Sequence, residues 1–487
     1  MPAEKQPPLD RLGALPDDVL VHILSFLPTT RLSVCTSVLS RRWRSLWAYV
    51  PFLSFRNDDC FDRRLEDIVT EVLSAHKGQT IHTFRLTDDD SVGDFEIEGW
   101  IATLVSRNVR NISIFLSYFD DTIRFMMHNC LLMCETLVEL RIGAYVVLPA
   151  AGDVCLPALK RLYLEGAESL PRLISGCPVL EELSIVNFHT PENLEICSPT
   201  LLRLELNIQP DDHGFDGNKY FWVKLLTPAL RFLNMIEYVF DNISTGTLGS
   251  LAVANVSLGC ESRFKLEFLG KLCNVGSLDL CHGVMEISDS TFSALTGKFH
   301  NLTKLTLSAD WHFLSFFLAN ADNLQVLTIR GCGNIKEWRE PHQVPTCLSS
   351  HLKTVAIEPY ECTEEWLFIS YVLRNAEVLK LMKVIKLPYY PCKDLVFDAL
   401  KRRILQLQPE TVGKRFCVGL DRFGQRISGI EKDDVVDYGG ASSYIAASQF
   451  FFVLGDRLAY DQQLGNLGSF FYYLLRVWAS VQNVGFS

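Results

Sequence analysis

The chain has 487 residues, roughly two to four times the size of a common domain, so more than one structural unit is expected. Hydrophobic residues make up 48% of it and charged residues 21%, with 29 Gly and 20 Pro, which excludes a collagenous or largely disordered protein. A formal net charge of -11, from 46 Lys+Arg against 57 Asp+Glu, argues against a general phosphate-backbone binder, so nucleic acid is not an expected partner.

The start, Met1 to Pro8, lacks the basic residues and apolar run of a secretory signal. The most apolar stretches, 450–454 and 470–475, fall far short of the ~18 to 20 residues that span a bilayer. The expectation is a soluble intracellular protein of the nucleus and/or cytoplasm, without membrane contact. The 15 cysteines are scattered singly with no C-x-x-C pair, and most are expected to act as small buried hydrophobes.

Residues 12–55 read as three short helices. Asp17 follows Pro16 as an N-cap, and Val19, Leu20, Ile23, Leu24 and Leu27 fall on one helical stripe that stops at Pro28. A second helical stretch closes at Ser40, and Trp43, Leu46 and Trp47 stand at i, i+3 and i+4 on a third. Roughly forty-five residues cannot bury two tryptophans and this many aliphatics unaided, so a partner is expected to cover part of the surface. A helical cap on the first repeat is the alternative from patterning. Arg41, Arg42 and Arg44 read as a solvated face rather than a nucleic-acid contact.

Beyond this module one template, apolar-x-x-apolar-x-apolar, recurs twelve times, with windows opening at Ile81, Val109, Leu137, Leu159, Leu180, Leu201, Leu230, Val253, Val275, Leu302, Leu324 and Leu352. Four of them, Leu137-Val-Glu-Leu140-Arg-Ile142, Leu159-Lys-Arg-Leu162-Tyr-Leu164, Leu180-Glu-Glu-Leu183-Ser-Ile185 and Leu201-Leu-Arg-Leu204-Glu-Leu206, are close copies; the Val253 window is the weakest. The fourth and sixth positions lie on one side of a short strand and the third, fifth and seventh on the other. One strand cannot hide its apolar side, but units 21 to 29 residues apart can stack into a parallel sheet over a continuous core. The spacing predicts an α/β leucine-rich-repeat solenoid, an irregular horseshoe with the sheet on its concave face.

Near residues 341–385 a last repeat strand is followed by an amphipathic helix, with Ile369, Val372, Leu373 and Ala376 at i, i+3, i+4 and i+7. Such a unit can cap the final repeat, whose apolar end is otherwise open. From Asp421 to Ser487 an acidic patch at Glu431-Lys-Asp-Asp434, a Gly-Gly-Ala-Ser-Ser loop and two aromatic runs match no repeat. This extension reads equally as a small helical addition, a poorly ordered tail or an unusual translated end.

The runs Leu15-Pro16-Asp17-Asp18-Val19-Leu20, Ile23-Leu24-Ser25-Phe26-Leu27-Pro28 and Val38-Leu39-Ser40-Arg41-Arg42-Trp43-Arg44-Ser45-Leu46-Trp47 strongly resemble the F-box of the large plant F-box/leucine-rich-repeat proteins. Val344-Pro345-Thr-Cys347-Leu348, His351-Leu-Lys-Thr-Val355-Ala-Ile357 and Glu364 to Lys380 resemble the FBD segment that often follows such repeats, and Arg415 to Leu420 matches its closing strand loosely. The resemblance implies an F-box at 12–55, a repeat solenoid at 56–340, an FBD-like terminal repeat and cap at 341–420, and an unassigned extension at 421–487. It further implies binding to the Skp-type adaptor of a cullin-RING ubiquitin ligase, with the chain as a non-catalytic receptor for a protein target. On that basis Leu15, Pro16, Leu20, Ile23, Leu24, Trp43, Leu46 and Trp47 are expected to meet the adaptor. Some of these side chains must be internal to the three-helix unit, and the sequence does not sort them. The other outcome is a repeat scaffold that binds proteins without ubiquitin-ligase activity.

No H-E-x-x-H, G-x-S-x-G, G-x-x-x-x-G-K-[ST] or G-x-G-x-x-G motif is present. The acidic run Thr87 to Gly93 fails as a calcium loop, because counting from Asp88 puts Val92 and Gly99 where oxygen ligands belong. Neither a cofactor nor a metal is expected. Sequons at Asn111, Asn242, Asn255 and Asn301 keep a glycosylated ectodomain as a distant alternative. The target is expected on the polar strand side, whose fifth positions include Arg141, Tyr163, Ser184, Glu205, Asn234, Asp279, Thr306 and Thr328.

Overall fold

The computed structural model describes residues 12, 14–57, 63–88, 97–116, 124–167, 169–188, 193–208, 222–237, 242–258, 263–282, 297–309, 311–330, 338–358, 364–386 and 415–420. The described residues up to 116 belong to one compact unit and those from 124 onward to a second.

The first unit opens with helices α1 (Asp17–Leu24), α2 (Thr30–Cys35) and α3 (Trp43–Leu46), with short 3-10 turns at Thr36–Val38 and Trp47–Tyr49. Pro16, not Asp17, takes the N-cap position of α1. Asp17 lies inside the first turn, where a carboxylate suits the helix dipole, and accepts a hydrogen bond from Arg42 Nε at 2.7 Å. Thr29 caps α2 by accepting from the Leu32 N–H at 3.4 Å. Leu20, Leu24, Leu27, Trp43, Leu46 and Val50 close around one another as the core of this module. Each such aliphatic contributes roughly 1.5 to 3 kcal/mol before chain entropy is counted.

The chain then runs through β1 (Phe52–Arg56), α4 (Leu65–Ala75), β2 (Thr83–Asp88), α5 (Ile97–Ser106) and β3 (Asn111–Leu116). The three strands pair in parallel, in register Ser54↔Arg85↔Ser113. The first of them belongs to a further window of the same form, ahead of the twelve, with Val50, Leu53 and Phe55 as its buried positions. Thr30 on α2 accepts the Ser54 N–H at 2.8 Å and so ties the helical module to the first strand.

The second unit contains, in order, β4 (Arg124–Met126), α6 (Asn129–Leu132), β5 (Glu139–Gly143), β6 (Tyr145–Val147), β7 (Arg161–Leu164), α7 (Leu170–Ser175), β8 (Glu182–Phe188), β9 (Leu194–Cys197), β10 (Arg203–Ile208), β11 (Trp222–Leu226), β12 (Phe232–Glu237), β13 (Asn242–Thr245) and β14 (Val253–Leu258). It continues with α8 (Arg263–Lys271), β15 (Ser277–His282), β16 (Lys304–Ser308), α9 (Trp311–Asn320), β17 (Val326–Arg330), α10 (Thr346–Ser350), β18 (Thr354–Glu358), α11 (Glu364–Asn375), β19 (Leu381–Lys386) and β20 (Arg415–Leu420). The main sheet follows the chain, β5-β7-β8-β10-β12-β14-β15-β16-β17-β18-β19-β20. Its strand pairings are all parallel, so each return segment must carry the chain back to the same end. Three returns lay down a smaller parallel sheet, β9-β11-β13.

Fourth and sixth positions are buried throughout, as in Leu140 and Ile142, Leu204 and Leu206, and Leu327 and Ile329. At the turns entering the strands, side chains hydrogen-bond to the preceding repeat: Thr200 Oγ1 donates to the Leu180 carbonyl at 2.8 Å, and Asn323 Nδ2 to the His300 carbonyl at 2.8 Å. Asn301, one of the sequon asparagines, does the same toward Asn274 at 3.3 Å, while Asn111 Nδ2 donates to Thr83 Oγ1 at 3.1 Å.

Twelve strands begin inside the twelve windows, with one shift of register. Val253 pairs with Phe232 and Ser277, both third positions, so that window opens two residues earlier, at Leu251. The small Ala254 fills the fourth position and hides the pattern. Nor is the strand at 354–358 the last, because Leu379, Met382 and Val384 bury the apolar side of β19, and β20 pairs with β19. Ile369, Val372, Leu373 and Ala376 are buried on α11 as the spacing predicts.

The cysteines depart from expectation. Cys134, Cys177 and Cys347 are buried and Cys130 and Cys273 half-buried, while Cys35, Cys155, Cys197 and Cys281 are exposed, because these four fall at helix ends, in connecting segments or on outward strand positions. Burial pushes the Cys177 thiol up to about 12 and the Cys347 thiol to about 11, so neither is reactive.

Candidate functional site

Two surfaces are candidates for protein docking. The first is the three-helix module, where the structure sorts the eight side chains proposed to meet an adaptor. Leu20, Leu24, Trp43 and Leu46 are buried in the module's own core, whereas Leu15, Ile23 and Trp47 are half-buried and Pro16 is exposed. Arg42 donates to the Leu15 carbonyl at 2.5 Å as well as to Asp17, which holds the segment ahead of α1 against the start of α3.

The large apolar side chains that reach solvent are not among those eight, although Val19 stands on the same predicted stripe as Leu20. Val19 is 41% exposed, Phe26 50%, Val38 82% and Leu39 40%, with Leu12 and Tyr49 also outward. Six of the thirteen exposed large apolar side chains among the described residues thus lie between residues 12 and 49. A signal for them existed: Phe26 follows the last full turn of α1, and Val38-Leu39 stands among polar residues where a self-contained helix pair has no use for two aliphatics.

The second surface is the outward strand side of the second unit. Its fifth positions fall into one register row, Arg141, Tyr163, Ser184, Glu205, Asn234, Asn255, Asp279, Thr306, Thr328, Ala356 and Lys383. All eight predicted residues are in it; Asn255 was missed because of the shifted window. Thr306 is buried, and the other seven are at least partly accessible.

Most charges on the first four strands of this surface are mutually paired. Glu139 accepts from Arg161 Nη2 at 2.9 Å and from Arg141, and Arg203 Nη1 lies 3.5 Å from Glu205. Burial raises the Glu139 pKa, but hydrogen bonds and charge from Arg141 and Arg161 outweigh it and hold the carboxyl below its ordinary value. Further along, Asp279 accepts from Arg330 Nη1 at 3.2 Å, and burial keeps its pKa raised despite that partner.

Among the described residues no group of three or more His, Cys, Asp or Glu could hold a metal ion, and no helix is long and apolar enough to cross a membrane. The acidic run 87–93 lies almost wholly outside the described residues, as does the extension 421–487.

Three family models match the chain: the F-box domain at residues 12–55, the repeats described as "FBD-associated F-box protein At5g56370, LRR repeats" at 97–211, and FBD at 340–384. The F-box/FBD/LRR-repeat protein At4g00160 of Arabidopsis thaliana is 32% identical over 398 residues, covering 76% of this chain and 85% of its own. The chain belongs to the F-box/FBD/leucine-rich-repeat protein family. The putative FBD-associated F-box protein At3g50710, also of Arabidopsis thaliana, is 32% identical over 404 residues, covering 76% of this chain and 91% of its own.

In this F-box/FBD/LRR protein the F-box match takes in α1 to α3 and all of β1 but its last residue. The FBD match takes in α10, β18, α11 and most of β19, which form two further repeat strands with a helix between them. The first candidate surface therefore lies on the F-box, and the second on the repeats and the FBD strands.

Proposed function

We propose that this chain is the target-recognition subunit of an SCF-type (Skp-cullin-F-box) ubiquitin ligase, and that it performs no chemistry itself. The single observation behind this is the F-box module with its own core satisfied and its outward aliphatics uncovered. A residue such as Val38, 82% exposed, has no structural use in the free chain.

In this reading Val19, Phe26, Val38 and Leu39, with the accessible members of the predicted set, Leu15, Pro16, Ile23 and Trp47, form the contact for a Skp-type adaptor. A few aromatic and aliphatic anchors carry most of the energy of such a contact. The strand side of the repeats holds a protein target, and the assembly raises the local concentration of target lysine near the ubiquitin-charged enzyme. The reaction takes place in the nucleus and/or cytoplasm.

The test is titration of purified Skp-type adaptor against the wild-type chain, Val38→Asp and Phe26→Asp. Both variants are expected to lose roughly tenfold or more in affinity with unchanged circular dichroism, since a charge in an apolar contact is left unpaired. Wild-type binding by both variants would remove the F-box from the contact. No binding by a well-folded wild type would leave a repeat scaffold without ligase activity.

A further inference from the structure

The strand side of the second unit is not uniform, and its chemistry changes between β10 and β12. On β5, β7, β8 and β10 the outward third and fifth positions are Glu139, Arg141, Arg161, Tyr163, Glu182, Ser184, Arg203 and Glu205, and most of the charges pair with a neighbour. On β12 and β14 the corresponding residues are Phe232 and Asn234, and Val253 and Asn255, followed at the seventh positions by Ile236 and Ser257. None of these six is charged, and all are partly accessible.

Ion pairs bound this neutral window on both sides. Before it, Arg203 sits over the Phe232 ring with its Cζ 3.9 Å from the centroid and its Nη1 3.5 Å from Glu205. After it, Asp279 is bonded to Arg330. Charges already paired gain little from a newcomer and lose solvation beneath it. An apolar patch inside a polar rim is the arrangement in which anchors are dewetted and carry the energy.

Within the window, Phe232 and Val253 are register neighbours, as are Asn234 and Asn255, on strands about 4.8 Å apart. Neither Asn234 nor Asn255 has a side-chain hydrogen-bond partner among the described residues. Two adjacent primary amides offer both donors and acceptors, the complement of a peptide group, which also carries one of each.

We infer that the target is read at β12 and β14, by an extended and uncharged peptide segment that sets one aromatic or large aliphatic side chain on Phe232 and Val253 and presents backbone amides to Asn234 and Asn255. This rests on the strand side being the target surface. Within that surface it moves recognition off Arg141, Tyr163 and Glu205.

The probe is a phage-displayed library of random linear peptides, selected on the full chain co-purified with its Skp-type adaptor and, in parallel, on the chain alone. Enriched peptides are resynthesised and titrated by fluorescence anisotropy. The expected result is enrichment of uncharged peptides bearing one large apolar residue. Their affinity should fall roughly tenfold or more in Asn234→Asp/Asn255→Asp and in Phe232→Ser, and stay within about twofold in Arg141→Ala/Glu205→Ala. Two substitution types guard against misfolding, which thermal melts monitor. The inference is overturned by charge-rich peptides that depend on Arg141 and Glu205, by indifference to the window variants, or by no enrichment. Failure to co-purify with the adaptor overturns the ligase reading alone, because the selection on the free chain still decides this one.

Discussion

His76 stands between Val50 and Arg107: its Nε2 lies 3.0 Å from the Val50 carbonyl and its Nδ1 3.0 Å from Arg107 Nη1. A guanidinium only donates, so Nδ1 accepts, Nε2 carries the proton, and the ring is neutral. The same Arg107 group donates to the carbonyls of His76 and Gly78, at 3.0 and 2.9 Å. Lys77 N–H donates to the Ala48 carbonyl at 2.7 Å. The last turn of the F-box is thereby fastened to the segment leading into β2.

Acid should loosen this joint. Burial lowers the His76 pKa from 6.5, the Val50 carbonyl opposes the shift, and the charge of Arg107 adds to it. As pH falls, the unfolded chain takes up the proton first, so the stability contribution is whole above about 6.5 and is lost as pH drops from there through the folded value. Thermal melts across that range are expected to show a decline in wild type that His76→Gln, which cannot titrate, lacks. Parallel slopes in the two proteins would exclude the joint as the acid-sensitive element. His76→Ala should cost about 1 to 3 kcal/mol at neutral pH, because Arg107 and Val50 lose a buried partner.

Core and contact residues of the F-box should separate in mutation. Leu20 and Leu24 are fully buried, so either changed to Ala is expected to destabilise by about 2 to 5 kcal/mol. Val38→Ala should stay within about 0.5 kcal/mol. Chemical denaturation measures both. A loss of adaptor binding in Leu20→Asp would report unfolding rather than contact, which makes Val38 the informative position.

The repeats were legible because each window repeats one physical demand: two apolar residues on one side of a short strand and a third just ahead of it, met again about every 20 to 29 residues. Where a small residue met the demand, as at Ala254, the frame slipped by two and Asn255 dropped out of the face. The window at Val50 was absorbed into the helical reading, since the 3-10 turn at Trp47–Tyr49 leads straight into it. The F-box was legible as a module but not by side. On a helix of eight residues such as α1, Val19 and Leu20 both fit an apolar stripe, and only the position of α3 decides that Leu20 is covered and Val19 is not.

Two glycines give opposite expectations. A Cβ at Gly176 would come 2.5 Å from the Val154 carbonyl oxygen and 2.4 Å from Val154 Cγ1, and backbone cannot swing aside. Gly176→Ala should therefore destabilise by about 1 to 3 kcal/mol through overpacking. Gly99 lies in α5 with nothing within 4 Å of such a Cβ, so Gly99→Ala should stabilise by about 0.4 to 1 kcal/mol through helix propensity and a less free unfolded chain. Equal effects of the two substitutions in urea melts would contradict the local geometry at one of them.

The aromatic cluster at the C-terminal repeats should behave as a local clasp. Trp338 packs against Trp311 of α9 at 5.6 Å between centroids, and against Phe368 and Tyr371 of α11 at 5.1 and 5.7 Å. It is only 5% exposed and lies just ahead of the FBD match, so it joins the helix before β17 to the helix after β18. Trp338→Ala removes a large buried side chain and is expected to cost about 3 to 5 kcal/mol, against about 0.5 or less for the exposed Leu367→Ala. In a stack where each repeat touches its neighbours, the damage should stay near the lesion. Amide exchange in Trp338→Ala is expected to rise in β17, β18 and α11 while β5 to β8 keep wild-type protection. Uniform loss of protection across the repeats would mean that the second unit unfolds as one cooperative body.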